Sequence, residues 1–351
     1  MKALAVIPAA VETAAAVTAA AVTVAVAITA AVTAAVTAVM KAAAMVTATE
    51  CGRVNKLPTL TVFTPTYNRA DKLKRVYESL KRQTDKDFCW LIVDDGSADD
   101  TVGAVASMKE EKMVDITMIR RENGGKMRAH NTGVTACDTE LFLCLDSDDW
   151  LTDTAVRDIL DAWQDIRDDS RYAGIIAYKG ERSKSGDERD IVPIYGNTFP
   201  DTGDSSFREL YQKGFKGETT LVFRTGLLKD NLFPEIEGEK YVPEDVVYDR
   251  IDEGHIFKVM PEILTVCELI DDGYTDRVEE LRREAPTGWY IYYYQRALSW
   301  PVSLIKYKFA AHYLRFGQMV DISYKRAYRL PLHIVLCGIP GYIALCLKNK
   351  L

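Results

Sequence analysis

Three short polar clusters carry residue types that chemistry could use. Asp146, Asp148 and Asp149 fall within four positions, directly after the apolar run LFLCL (141–145). A second group, Asp94 and Asp95, opens DDGS after the apolar run FCWLIV (88–93). Carboxylates packed this closely repel one another, and a hard divalent cation relieves the repulsion. A turn or helix cap at Ser97, Asp99 or Asp149 accounts for one such cluster but poorly for two. An EF-hand does not fit DSDD: counted from Asp146, positions five and six would be Trp150 and Leu151, and position twelve Arg157 where a bidentate Glu is needed. Mg2+ takes one or two protein carboxylates together with substrate phosphates, so DSDD reads as a site completed by a diphosphate ligand.

The third cluster, NGGKMRAHN (123–131), offers two glycines with Lys126, Arg128 and His130 just before or within a helix. Backbone N–H groups and cations there suit a phosphate, although a plain Gly-rich turn explains the segment equally well. Neither GxxxxGK[ST] nor GxGxxG occurs, so no P-loop or dinucleotide fingerprint supports phosphate binding independently. The lack of GxSxG disfavours a hydrolase. His255, His312 and His333 sit in apolar or aromatic surroundings and read as structural.

These clusters need elements to position them. LTVFTP (60–65), FCWLIVDD (88–95), VDITMIR (114–120) and ELFLCLD (140–146) are short, apolar and rich in branched or aromatic residues. Helical stretches lie between them at 71–83, 98–109 and 126–137. Strands separated by helices imply right-handed crossovers and a mostly parallel α/β sheet flanked by helices. Ligands of such sheets bind beyond the carboxyl ends of the strands, where both Asp clusters would converge. A further helix is expected after Trp150, capped by Thr152 or Asp153.

In order and spacing, PTYNR (65–69), VDDGSADDT (93–101), NGGKMRAHNTG (123–133) and FLCLDSDDW (142–150) resemble the family 2 glycosyltransferases of the GT-A fold. The resemblance is strong over about residues 58–155 and looser over 156–270. It implies a Rossmann-like nucleotide-binding half and an inverting transfer of sugar from a nucleotide diphosphate, commonly a UDP-sugar, to an acceptor hydroxyl. Pro65, Thr66, Tyr67, Asn68 and Arg69 would then line the nucleotide, and Asp95 would hydrogen-bond the base with Asp94 close by. Lys126, His130 and Asn131 would help to bind the nucleotide sugar, with His130 approaching the diphosphate. Asp146 and Asp148 resemble the metal-binding DxD, with Ser147 between them; Asp148 is the expected direct ligand of Mg2+ or Mn2+. The resemblance would place Asp146 nearer the ribose or a metal-bound water. VPEDVV (242–247) resembles the family's Glu-Asp segment, with Asp245 the first choice of base and Glu244 open; a helix start with Pro and acids in its first turn explains the same residues.

The chain's formal charge of −7 argues against a protein that coats nucleic acid. It is unevenly spread: residues 288–351 hold nine Lys or Arg against one acid, net +8, which leaves −15 before them. The same stretch holds thirteen aromatics, among them WYIYYY (289–294), and ends in the uncharged LPLHIVLCGIPGYIALCL (330–347). Rings and cations around an apolar face favour a membrane–water interface, and a helical cap with buried rings is the alternative. Residues 1–56 are Ala/Val/Thr-rich, without charge from Thr13 to Met40, and read as a membrane helix or a dispensable extension. Seven cysteines without a CxxC pair indicate a reducing compartment with no zinc site or disulfide scaffold. The expectation is a catalytic domain over 57–275 and a helical membrane-associating region over 276–351, peripheral on the cytoplasmic face, with a saccharide or lipid-linked acceptor. Nucleotidyl transfer and a catalytically degenerate membrane scaffold are the rivals.

Overall fold

A computed structural model of the chain describes residues 57–183, 190–196, 198–200, 203–267 and 277–348. The expected extension 1–56 and the boundary expected at 275/276 lie outside the described residues. The first half runs β1 (Leu60–Thr66), α1 (Ala70–Lys81), β2 (Phe88–Asp94), α2 (Thr101–Glu110), β3 (Ile116–Arg120), α3 (Lys126–Ala136) and β4 (Leu141–Cys144). Every strand and helix expected here is present, because each apolar run has the length and period of its element. β1 pairs in parallel with both β2 and β4, and β2 with β3. The tips of β2 and β4 therefore flank β1, about 10 Å apart at the usual strand spacing of about 4.8 Å.

The chain continues through β5 (Trp150–Leu151), α4 (Ala155–Ile166), β6 (Tyr172–Arg182), β7 (Ile191–Pro193), α5 (Phe207–Gln212), β8 (Thr219–Arg224), α6 (Thr225–Asp230), α7 (Asp245–Asp252) and β9 (Ile256–Cys267). The sheet has nine strands in the order β3-β2-β1-β4-β8-β6-β9-β5, with β7 on β6. β8 lies antiparallel to both β4 and β6, while β6 and β9 run parallel. The sheet is thus parallel over the first four strands and mixed beyond them. Neither expected cap of α4 acts as one. Thr152 donates to the Ile263 carbonyl at 3.0 Å and Asp153 pairs with Arg82 at 2.9 Å, while Thr154 takes the cap position.

Alternation along the strands sorts side chains onto two cores. Leu60, Val62, Trp90 and Ile92 face α1, α2 and α4; Phe63, Leu91, Val93 and Phe142 face α3 and α7. The helices α8 (Val278–Glu284), α9 (Pro286–Ser299), α10 (Leu304–Phe316), α11 (Ile322–Ala327) and α12 (Leu332–Lys348) follow. α9 gives Ile291 to the second core and Tyr290, Tyr293 and Ala297 to a third core shared with Tyr313 and Phe316 of α10. The aromatic run 289–294 therefore packs largely inward, as the helical-cap alternative has it. Among the described residues no helix is long and apolar enough to cross a membrane.

Phe63 is fully buried and stacks on Phe142 at 5.0 Å. Phe63→Ala is expected to cost about 3–5 kcal/mol in urea unfolding, and a loss below about 1 kcal/mol would mean the second core does not close around it.

Candidate active site

The loops after β1, β2 and β3 are tied together before any charge pairs form. Asn68 adopts φ 52°; its backbone N–H donates to Ser97 Oγ at 2.8 Å, and its Oδ1 accepts from the Ala98 N–H at 2.7 Å. Asp94 is fully buried, accepts from the Ser97 N–H at 2.9 Å and lies 3.3 Å from Arg120 Nε. Asp95 accepts from the Gly124 N–H at 3.0 Å, the Gly125 N–H at 2.7 Å and Arg121 at 3.0 Å. One carboxylate thus shapes the NGG turn that starts α3. Gly125 has φ +95°, and a Cβ there would lie 2.1 Å from the Lys240 carbonyl oxygen.

Four cations then meet the acidic tips. Arg69 pairs with Asp148, linking the loop after β1 to the loop after β4. Lys126 Nζ lies 2.8 Å from Asp146 and 2.9 Å from Glu244, bridging the DSD loop to the start of α7. Lys179 of β6 holds Asp149 at 2.8 Å, so Asp149 is paired rather than capping a helix. Arg296 of α9 holds Asp245 at 3.1 Å and also pairs with Asp249. The sequence motifs had singled out neither Lys179 nor Arg296. A lone Lys in the apolar strand AGIIAYKG was the available signal for Lys179; Arg296 was hidden among aromatics.

Burial and charge compete at these groups. Burial would lower Lys126, but Asp146 and Glu244 lift it well above the ordinary lysine range. Burial pushes Asp146 upward, yet Lys126 and Lys179 outweigh it and hold the carboxyl below its usual range. Burial raises Asp245 to about 6, with Arg296 opposing the shift and Asp249 and Glu244 adding to it. The Asp245 side chain keeps 35% of its surface exposed.

Two expected ligands point elsewhere. His130 is buried among Phe63, Phe142 and Phe233, and burial, with Lys126 nearby, pushes it down to about 3, so it is a neutral core residue rather than a neighbour of the diphosphate. Asn131 donates to the Phe233 carbonyl at 2.9 Å and accepts from the Phe233 N–H at 2.9 Å, which fixes the 231–236 loop. Arg128 likewise donates to the Ile236 carbonyl at 2.6 Å. Pro65 and Thr66 are buried at the end of β1, and Tyr67 is exposed beside them. Ser147 is buried between the two Asp residues of the DSD loop.

Residues 61–231 match the model of glycosyl transferase family 2. This stretch of the chain is a glycosyl transferase family 2 region. Poly(ribitol-phosphate) β-N-acetylglucosaminyltransferase TarS of Staphylococcus aureus is 27% identical to this chain over 180 residues, 50% of the chain and 29% of that protein. The GalNAc(5)-diNAcBac-PP-undecaprenol β-1,3-glucosyltransferase of Campylobacter jejuni is 25% identical over 185 residues, 51% of the chain and 56% of that protein. The chain thus matches less than two thirds of the length of either relative. The crystal structure of S. aureus TarS 1–349 with UDP-GlcNAc superposes with a TM-score of 0.53 at 18% identity, covering 81% of this chain and 79% of that one, which establishes the shared GT-A fold.

Among the described residues no three His, Cys, Asp or Glu side chains gather around one point. The donor set nonetheless fits a hard divalent ion. Asp146 and Asp148 are the residues that would hold it, since Mg2+ takes one or two protein carboxylates together with substrate phosphates. Arg69 and Lys126 balance these carboxylates in the structure and are themselves suited to phosphate oxygens.

The NGG turn depends on Gly125. Gly125→Ala is expected to lose about 1–3 kcal/mol of stability by chemical denaturation, and an unchanged midpoint would disprove the close approach of Lys240.

Proposed function

We propose that this chain is an inverting, metal-dependent glycosyltransferase. It moves a sugar, of hexosyl type, from a UDP-sugar to an acceptor hydroxyl in surface polysaccharide or glycolipid synthesis. One observation carries the reading: Lys126 joins Asp146 to Glu244 while Arg69 joins Asp148, which gathers the motif after β1, the NGG turn, the DSD loop and the start of α7 into one charged crevice. The UDP-GlcNAc complex of the structural neighbour supports a UDP donor. The β-linkages in the names of the two relatives are what inversion of an α-linked donor yields.

In this reading Pro65, Thr66, Tyr67, Asn68 and Asp94 line the base and ribose. Asp95 sets the NGG turn against the base, and Asp146 and Ser147 lie by the ribose and phosphates. Mg2+ or Mn2+ held by Asp148, with Asp146, would stabilise charge on the leaving diphosphate, an effect worth several kcal/mol. Lys126 and Arg69 exchange their carboxylate partners for phosphate oxygens when the donor enters. Asp245 takes the acceptor's proton as the hydroxyl oxygen bonds the anomeric carbon and the bond to the diphosphate breaks; Glu244, engaged by Lys126, is second choice. Residues 57–275 form the catalytic part, and 276–351 bring it to a lipid-linked or saccharide acceptor at the inner membrane face, where nucleotide sugars are available.

Incubation with a set of nucleotide sugars and membrane extract should release nucleoside diphosphate and be stopped by chelator. Release of pyrophosphate instead would reassign the enzyme to nucleotidyl transfer. Asp148→Ala should abolish turnover and metal-dependent nucleotide binding; full activity would remove it as a ligand. Asp245→Asn should lower kcat by about 10² to 10⁴ with UDP affinity retained.

The base must be unprotonated, so kcat/KM falls as pH drops through about 6. The charges facing Asp245 are Arg296, Asp249, Glu244 and Arg208. Arg296→Gln removes the largest lowering influence and should move the acidic limb to higher pH. A limb that stays in place would separate Arg296 from the base.

A further inference from the structure

The described surface is apolar in one region above all. α12 exposes Leu332 (71%), Leu336 (55%), Ile339, Ile343 (51%) and Leu347 (62%). Their spacing of three or four residues places them along a single stripe of the helix. α12 buries only Ile334 and Gly338. The opposite face is closely packed: a Cβ on Gly338 would lie 2.8 Å from Ala310 Cβ, and one on Gly341 would lie 3.0 Å from Ala311 Cβ. The stripe is therefore the outward side of a docked helix and not the face of one left unpacked.

Tyr307 lies against Cys337 and Ala311 against Gly341, so α10 and α12 run side by side in the same direction. That carries the exposed Leu304 and Ile305 to the end of α12 that holds Leu332 and Leu336. Lys308, Arg326, Arg329 and Lys348 are exposed on the same helical region. α12 spans about 26 Å at 1.5 Å per residue, contains Pro340, and falls short of the roughly 30 Å hydrocarbon thickness.

We infer that the α12 stripe, together with the start of α10, seats the protein in the surface of an anionic lipid bilayer without crossing it. This specifies the membrane contact contained in the proposed function. Charge decides the occupant: residues 288–351 carry net +8, so a second copy would set like charge against like, whereas anionic headgroups supply the opposite sign. A short helix with an apolar face flanked by cations is the form that lies in a headgroup layer.

Vesicle flotation of the full chain tests this, with UDP binding by calorimetry as a parallel measure. The wild type should float with vesicles containing phosphatidylglycerol, float weakly with pure phosphatidylcholine, and lose affinity as salt rises. Leu336→Ser with Ile343→Ser should weaken flotation about tenfold or more and leave UDP affinity unchanged. Arg326→Gln with Arg329→Gln should erase the preference for phosphatidylglycerol. Three results would overturn the proposal: no flotation of the wild type, flotation indifferent to the serine pair, or a doubled solution mass that the serine pair restores to one chain. Loss of UDP binding in the wild type would instead strike the nucleotide-sugar reading and leave the lipid result standing.

Discussion

Carboxylates at the tips of β2 and β4, and at the start of α7, line one crevice, where like charges repel more strongly than they would in open water. The protein offsets this with cations from separate parts of the chain: Arg69 after β1, Lys126 at the start of α3, Lys179 in β6 and Arg296 in α9. None of these comes from the loop it neutralises. The crevice consequently exists only when the sheet and the last helices are all in place. Since the desolvation of such half-buried and buried ion pairs offsets much of their attraction, the arrangement is better understood as a set of acids and cations suited to a charged ligand than as a source of stability.

The NGG turn solves the neighbouring problem. Asp95 could have been another unmatched acid, but two backbone N–H groups and Arg121 satisfy it within the crevice wall. Gly125 permits this because its positive φ brings the turn against the Lys240 carbonyl, where a side chain has no room. From that turn α3 starts with Lys126 aimed at Asp146. Backbone conformation at one glycine thereby sets where a lysine charge sits, and so which carboxylates it can bridge.

Much of the nucleotide half was legible because its signals are local. Each of the first four strands is an apolar run bounded by polar turns, and the carboxylates stand at its end whatever the rest of the chain does. What escaped was decided by distant partners. The antiparallel insertion of β8 between β4 and β6 depends on pairing across many residues, which no periodicity encodes. His130 looked like a phosphate ligand one turn from Lys126, yet three phenylalanines from β1, β4 and the 231–236 loop enclose it. Thr152 and Asp153 have the chemistry of caps, but Ile263 and Arg82 claimed them first. Lys179 and Arg296 carried no motif, and only the fold gives them their acidic partners.

The C-terminal stretch shows why composition alone misdirects at such a boundary. Rings and cations together suggested one membrane-facing surface, but the rings divide from the aliphatics once helices form. Tyr290 and Tyr313 stack at 4.6 Å, share a hydrogen bond of 2.8 Å and close the third core. Leu332, Leu336 and Ile343 are left outside. The aromatic helix α9 faces the catalytic body, where Arg296 reaches Asp245, and α12 lies on the far side of α10's small-residue seam. Gly338, Ala310 and the stacked Tyr290 and Tyr313 connect the outer helix α12 to α9, whose Arg296 pairs with Asp245, so the apolar stripe and the charged crevice belong to one continuous packing unit.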